Sequence, residues 1–130
     1  SLAGNSGPYL QYAYARAAAI LRKAQNSDFS PDSSSSLSLG QDVQFDSNER
    51  LLVLKLSNWQ DAFSRAAQEF MPHNICNYLY DLAQEFNRFY EKSKVVGDER
   101  EIIRLSLVSR YAKVLKSGLQ LLGIEVMERM

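Results

Sequence analysis

Residues 72–91 read PHNICNYLYDLAQEFNRFYE. Their apolar members Ile75, Leu79, Leu82, Phe86 and Phe89 recur every three or four residues, which puts them on one side of a helix with a 3.6-residue turn. Pro72 suits the start of that helix, because an N–H there would be unpaired anyway. The spacing predicts a helix over 73–91 whose apolar stripe must be covered by the rest of the chain. On its C-terminal side, Ile102, Leu105, Ser109, Ala112, Leu115, Leu119 and Leu122 sustain a second long helix. Asp98 and Glu101 offer it a capping box, and Gly123 supplies its stop. On the N-terminal side, Ser57 and Gln60 form another capping pattern, ahead of Trp59, Phe63, Ala66, Ala67 and Phe70, and Pro72 closes that segment. Asp46 with Glu49 opens the run Leu51 to Leu56, and Gly7-Pro8 opens a helix over about 8–25.

No stretch alternates convincingly with a period of two residues, so the reading is all-α, an antiparallel helical bundle. Its sole long crossing is a loop over about 26–46, which contains Ser33-Ser34-Ser35-Ser36 and too little apolar surface to offset the entropy of ordering. The 130 residues suffice for one domain, 1–130, and are too few for two ordinary ones.

Composition narrows the function. Hydrophobic residues make up 45% and charged residues 23%, and no apolar run approaches the roughly 20 residues of a membrane span. The opening Ser1 to Gly7 has neither the basic nor the apolar region of a secretory leader, and Cys76, the lone cysteine, has no internal disulfide partner. The expected compartment is reducing and cytoplasmic. His73 and Cys76 are too few to hold a structural zinc, and no phosphate-cradling glycine loop, HExxH pair or GxSxG elbow occurs. Lys92-Ser93-Lys94 reads as a polar turn between helices. Binding is therefore expected rather than catalysis, with no metal site and no cofactor in this domain.

The 15 basic residues balance the 15 acidic ones, so no global field draws the chain to nucleic acid. The balance hides a segregation: Arg16, Arg22 and Lys23 stand without an acid in residues 1–27, whereas Asp28, Asp32, Asp42, Asp46 and Glu49 stand without a base in 28–49. Within the first helix, Leu10, Tyr14, Ala17 and Leu21 share an arc that can serve the core, while Tyr9, Tyr12, Arg16 and Lys23 share an adjacent one. Aromatic rings beside cations suit single-stranded nucleic acid, whose unstacked bases lie on rings while cations hold the phosphates. The same tyrosines could instead finish a core with their hydroxyls at the surface.

The string Gly7-Pro8-Tyr9-Leu10-Gln11-Tyr12-Ala13-Tyr14-Ala15-Arg16 resembles the opening of the C-terminal anticodon-binding (DALR) domain of arginyl-tRNA synthetases, and Leu121-Leu122-Gly123-Ile124-Glu125-Val126-Met127-Glu128-Arg129-Met130 resembles its end. Between them Pro72, Tyr78-Leu79, Phe89-Tyr90 and Arg104-Leu105 stand in the family's order. Tyr14 departs from the histidine of many members, and the serine-rich loop is longer than in compact ones.

The resemblance implies a bundle of the class I synthetase anticodon-binding type that receives the anticodon loop of arginine tRNA, with contacts at Tyr9, Tyr12, Arg16, Tyr90 and Met130. It implies an upstream catalytic domain in the same chain that joins arginine to tRNA with ATP and magnesium. The expected protein is a cytoplasmic monomer that binds neither DNA nor membrane, and this fragment carries no catalytic residue. The competing readings are the anticodon-binding domain of a cysteinyl or glycyl enzyme and a noncatalytic helical adaptor that binds protein through an aromatic groove.

Overall fold

The computed structural model describes residues 6–25 and 43–130. The serine-rich loop read over about 26–46 lies outside the described residues as far as position 42. Among the described residues there are five helices and no strand: α1 (Ser6–Ala24), α2 (Ser47–Ser57), α3 (Trp59–Glu69), α4 (Pro72–Lys92) and α5 (Glu101–Leu121). None of these helices is long and apolar enough to cross a membrane.

The stripe that predicts α4 is the centre of the core: Ile75, Leu79, Leu82, Phe86 and Phe89 are all buried, and α4 touches every other helix. Leu79 meets Gly118 of α5 and Phe86 meets Tyr111, so the two longest helices run antiparallel. Tyr9 meets Tyr80 and Arg16 meets Asn87, so α1 runs in the same direction as α4 and opposite to α5. Arg88 bonds Asn48 while Tyr78 bonds the carbonyl of Lys55, which sets α2 antiparallel to α4.

Gly118 lets α4 and α5 approach closely. A Cβ at this position would lie 2.5 Å from Leu79 Cδ1 and 2.8 Å from Cδ2. Leu79 is fully buried and has nowhere to swing. Alanine favours a helix over glycine by about 1 kcal/mol, but overpacking a closed core costs about 1–3 kcal/mol. Gly118→Ala is therefore expected to lower the stability in urea by about 1–2 kcal/mol, whereas propensity alone would raise it.

The three capping patterns fare differently. Asp46 and Glu49 form a reciprocal box: Glu49 N donates to Asp46 Oδ1 at 2.8 Å and Asp46 N donates to Glu49 Oε1 at 2.9 Å. Ser57 does not cap α3. Its hydroxyl donates back to the carbonyl of Leu54, the α-turn continues to Ser57, and α3 starts at Trp59 without a side-chain cap. The Asp98 carboxylate accepts from Arg100 N and leaves Glu101 N to the Asp98 carbonyl, and the Glu101 carboxylate accepts from Gly97 N, so the third pattern folds as a tight turn before α5. Phe70, expected on the apolar face of α3, is 89% exposed, because at φ 52° it leaves the helix as a left-handed C-terminal residue.

At the other boundary Gly123, with φ 75°, closes α5 by the two hydrogen bonds of a Schellman turn, from Gly123 N to Gln120 O and from Ile124 N to Leu119 O. Buried Glu49 does more than cap. Arg100 Nη2 and Nε donate to its two oxygens at 2.6 and 2.7 Å, and Arg104 Nε donates at 2.8 Å. Arg104 also reaches the carbonyl of Lys94 and the carboxylate of Asp46. The start of α2 is thereby fastened to the start of α5.

Candidate nucleic-acid interface

The first helix presents two faces, as its sequence arcs require. Leu10, Tyr14 and Ala17 are buried, with Tyr14 packed in the core, while Tyr12 is 61% exposed and Arg16 is exposed. Tyr9 lies at the border, half-buried in the seam between α1 and α4. Its ring centroid is 5.1 Å from that of Tyr80, tilted by 40°, and its hydroxyl accepts from Asn87 Nδ2 at 3.4 Å. Two turns along, Arg16 Nη1 donates to Asn87 Oδ1 at 3.0 Å, and its guanidinium carbon sits 5.2 Å from the centre of the Tyr90 ring. Tyr9, Arg16 and Tyr90 are thus gathered in one seam.

A stack of rings backs this seam. Tyr111 and Phe86 lie 4.0 Å apart and 3° from parallel, and Phe86 and Tyr90 lie 5.9 Å apart and 14° from parallel. The column rises from fully buried Tyr111 through Phe86 to half-buried Tyr90 and ends under the Arg16 cation. Burial, reinforced by Tyr9, pushes the ionisation of the Tyr111 hydroxyl far above its ordinary range, so it stays neutral beside the cation. The surface so built offers the open ring of Tyr12, the remaining N–H groups of Arg16, and π surface at Tyr9 and Tyr80.

Met130 is not part of this cluster. The segment after Gly123 lies along another flank of α1, held where Gln11 Nε2 donates to the carbonyl of Glu125 and Arg22 Nη1 to that of Glu128. Arg22 lies thirteen residues beyond Tyr9, which is about 20 Å along a helix axis. Met130 follows two residues after Glu128 and is 61% exposed.

The sequence reading missed Tyr80 and Asn87. They stand ten and three residues before Tyr90, spacings that place all three on one flank of α4 beside its core stripe. The signal was present in the spacing, but its meaning depended on knowing that α1 lies against that flank.

A family model described as the DALR anticodon binding domain matches residues 10–130. The chain belongs to this family. The DALR domain is 42% identical to the arginine--tRNA ligase of Actinobacillus succinogenes over 98% of its length, and equally so to that of Aliivibrio salmonicida. It spans 21% of the length of each of these relatives. Among solved structures it superposes over its whole length on the arginyl-tRNA synthetases of Thermus thermophilus (TM-score 0.75, 40% identity) and Plasmodium falciparum (TM-score 0.80, 31% identity), covering 22% of each. These relatives bear out the all-α bundle and the resemblance to arginyl enzymes, and they favour neither a cysteinyl or glycyl assignment nor a protein adaptor.

Proposed function

We propose that this DALR domain holds the anticodon loop of arginine tRNA for a full-length arginine--tRNA ligase, and that residues 1–130 act as one domain in that task. The observation that carries this reading is the α1–α4 seam, where a cation on an aromatic column and the Tyr9–Tyr80 pair share one surface, with exposed Tyr12 one turn along α1 from Tyr9. Unstacked bases are recognised by rings that stack on them and by cations that hold the phosphates between them. In this reading Tyr12 offers an open face to a base, Tyr9 brackets a neighbour, and Arg16, resting on Tyr90, takes a phosphate or a base edge. Met130 touches the loop from the other flank of α1. A flexible thioether packs well against the irregular edge of a splayed base.

The enzyme containing this domain is proposed to be a cytoplasmic monomer that uses ATP and magnesium in a separate catalytic domain of the same chain. Docking of the loop biases the whole enzyme toward a productive geometry at the acceptor end.

The test is arginylation by the full-length protein. Tyr12→Ala and Arg16→Ala are expected to lower kcat/KM for tRNA by about 5- to 150-fold, since a base stack contributes about 1–3 kcal/mol and a charge-assisted contact is of similar strength. Deleting Met130 lowers it less, and none of the three shifts thermal unfolding appreciably. Unaltered kinetics with both Tyr12→Ala and Arg16→Ala would remove the seam from the reading. Affinity for the tRNA should fall linearly in log Kd against log salt, the signature of phosphate contacts.

A further inference from the structure

Among the described residues, Asn87 is the one side chain hydrogen-bonded to both Tyr9 and Arg16, and it uses opposite ends of its amide to do so: Oδ1 accepts from Arg16 and Nδ2 donates to the Tyr9 hydroxyl. We propose that Asn87 is a positioning residue for RNA recognition, setting the Arg16 guanidinium on Tyr90 so that its other N–H groups meet a phosphate of the loop. The inference rests on the anticodon-loop reading above.

Three observations carry it. The guanidinium lies on an aromatic column fixed in the core, so its height is set by Tyr90 and its rotation by the bond to Asn87. Among the described residues, Asn87 is the one hydrogen-bond acceptor on Arg16, so beyond the Tyr90 ring it alone orients the fork of donors. A neutral amide holds it without cancelling its charge, which a carboxylate at the same place would do. The partner this arrangement suits is an anion that takes the fork side-on, as a phosphate does. The Asn87 bridge also joins Tyr9 and Arg16 of α1 to the helix that carries Tyr80 and Tyr90.

The test uses the full-length protein and the arginine tRNA, with Kd measured over a salt series. Arg16→Ala is expected to weaken binding and to lower the slope of log Kd against log salt by about 0.7, one single-strand phosphate contact. Asn87→Ala removes no charge, yet it is expected to weaken binding about 5- to 20-fold and to lower the slope by part of the same amount. In the Arg16→Ala background, the effect of Asn87→Ala should shrink several-fold, because coupled residues are not additive. Asn87→Asp, which pairs with Arg16 and competes with the phosphate, should weaken binding more than Asn87→Ala while leaving thermal unfolding at least as high.

A loss in Asn87→Ala with an unchanged salt slope and full additivity with Arg16→Ala would overturn the inference, since the amide would then act on its own. So would wild-type binding in Asn87→Ala beside impaired binding in Arg16→Ala, an outcome that leaves the anticodon-loop reading standing. Wild-type binding in both Arg16→Ala and Tyr12→Ala would remove the reading and the inference together.

Discussion

Glu49→Ala is expected to lower the folding free energy by about 3–5 kcal/mol at neutral pH, the usual effect of taking one partner from a buried ion pair. Glu49 is fully buried between Arg100 and Arg104, and its removal leaves the Nε of the Arg104 guanidinium, itself almost wholly buried, without its acceptor. It also removes one half of the cap of α2. Equilibrium urea unfolding measures the loss, and Glu49→Gln, which keeps the shape and one acceptor, should fall between alanine and wild type.

The same carboxylate makes the domain sensitive to acid. Burial alone would raise its ionisation, but the hydrogen bonds from Arg100 and Arg104 and the cap at Asp46 outweigh burial and hold it at about 2, against an ordinary value of 4.5. A group depressed in the folded state stabilises fully above its unfolded value and less as the pH falls through the interval down to its folded value. The contribution of Glu49, roughly 3 kcal/mol by that shift, is therefore present above pH 4.5 and lost progressively toward pH 2. The wild-type and Glu49→Ala stabilities should converge across that window. A gap that stays constant would show that the ion pairs do not govern the acid response.

The second large effect is at Phe86. Phe86→Ala is expected to cost about 3–5 kcal/mol through the cavity it leaves in a closed core. The ring touches Phe89, Tyr90 and Tyr111, and it is 1% exposed. Because Phe86 supports Tyr90, which supports Arg16, this variant should also weaken tRNA binding at temperatures where it remains folded. Phe86→Leu keeps much of the volume, restores most of the stability and leaves the binding defect, since an aliphatic side chain gives Tyr90 no flat platform. Recovery of both properties together would mean that volume alone matters there.

The helices were legible because their apolar residues recur with the helical period and because Pro72 and Gly123 punctuate them. The stripe of α4 came through residue by residue, and so did the core arc of α1, Tyr14 included, except that Leu21 at its end is only half-buried. What failed was local competition among hydrogen bonds. Ser57 had a nearer carbonyl to donate to than a helix start to cap, and Asp98 found Arg100 N one residue before Glu101. Phe70 was assigned by period, and a single left-handed residue turned it into solvent. Glu49 was read as a cap and not as the centre of an ion-pair network, since Arg100 and Arg104 lie more than fifty residues away.

The candidate site shows the same limit. Tyr9, Tyr12 and Arg16 share a helix, so one arc relates them. Tyr80 and Asn87 join them only through tertiary contact between α1 and α4. The resemblance set Met130 with the tyrosines as a loop contact; its segment lies along the same helix, and the bonds at Gln11 and Arg22 carry it toward the far end.

The fastening of α1 has a consequence for synthesis of the chain. Its buried face rests on α5, and two of its polar side chains bond carbonyls that come 114 and 106 residues later. While a ribosome is still producing α4, the apolar arc of α1 has no final partner, and Leu10, Tyr14 and Ala17 must wait in solution or against transient neighbours. At about 5–20 residues per second, that interval lasts several seconds to tens of seconds. Within the domain, α1 is thus made before the helices it packs on and secured last. A stalled ribosome stopping short of α5 would leave that arc exposed, and trigger factors or other holdases that bind apolar segments would find their target there.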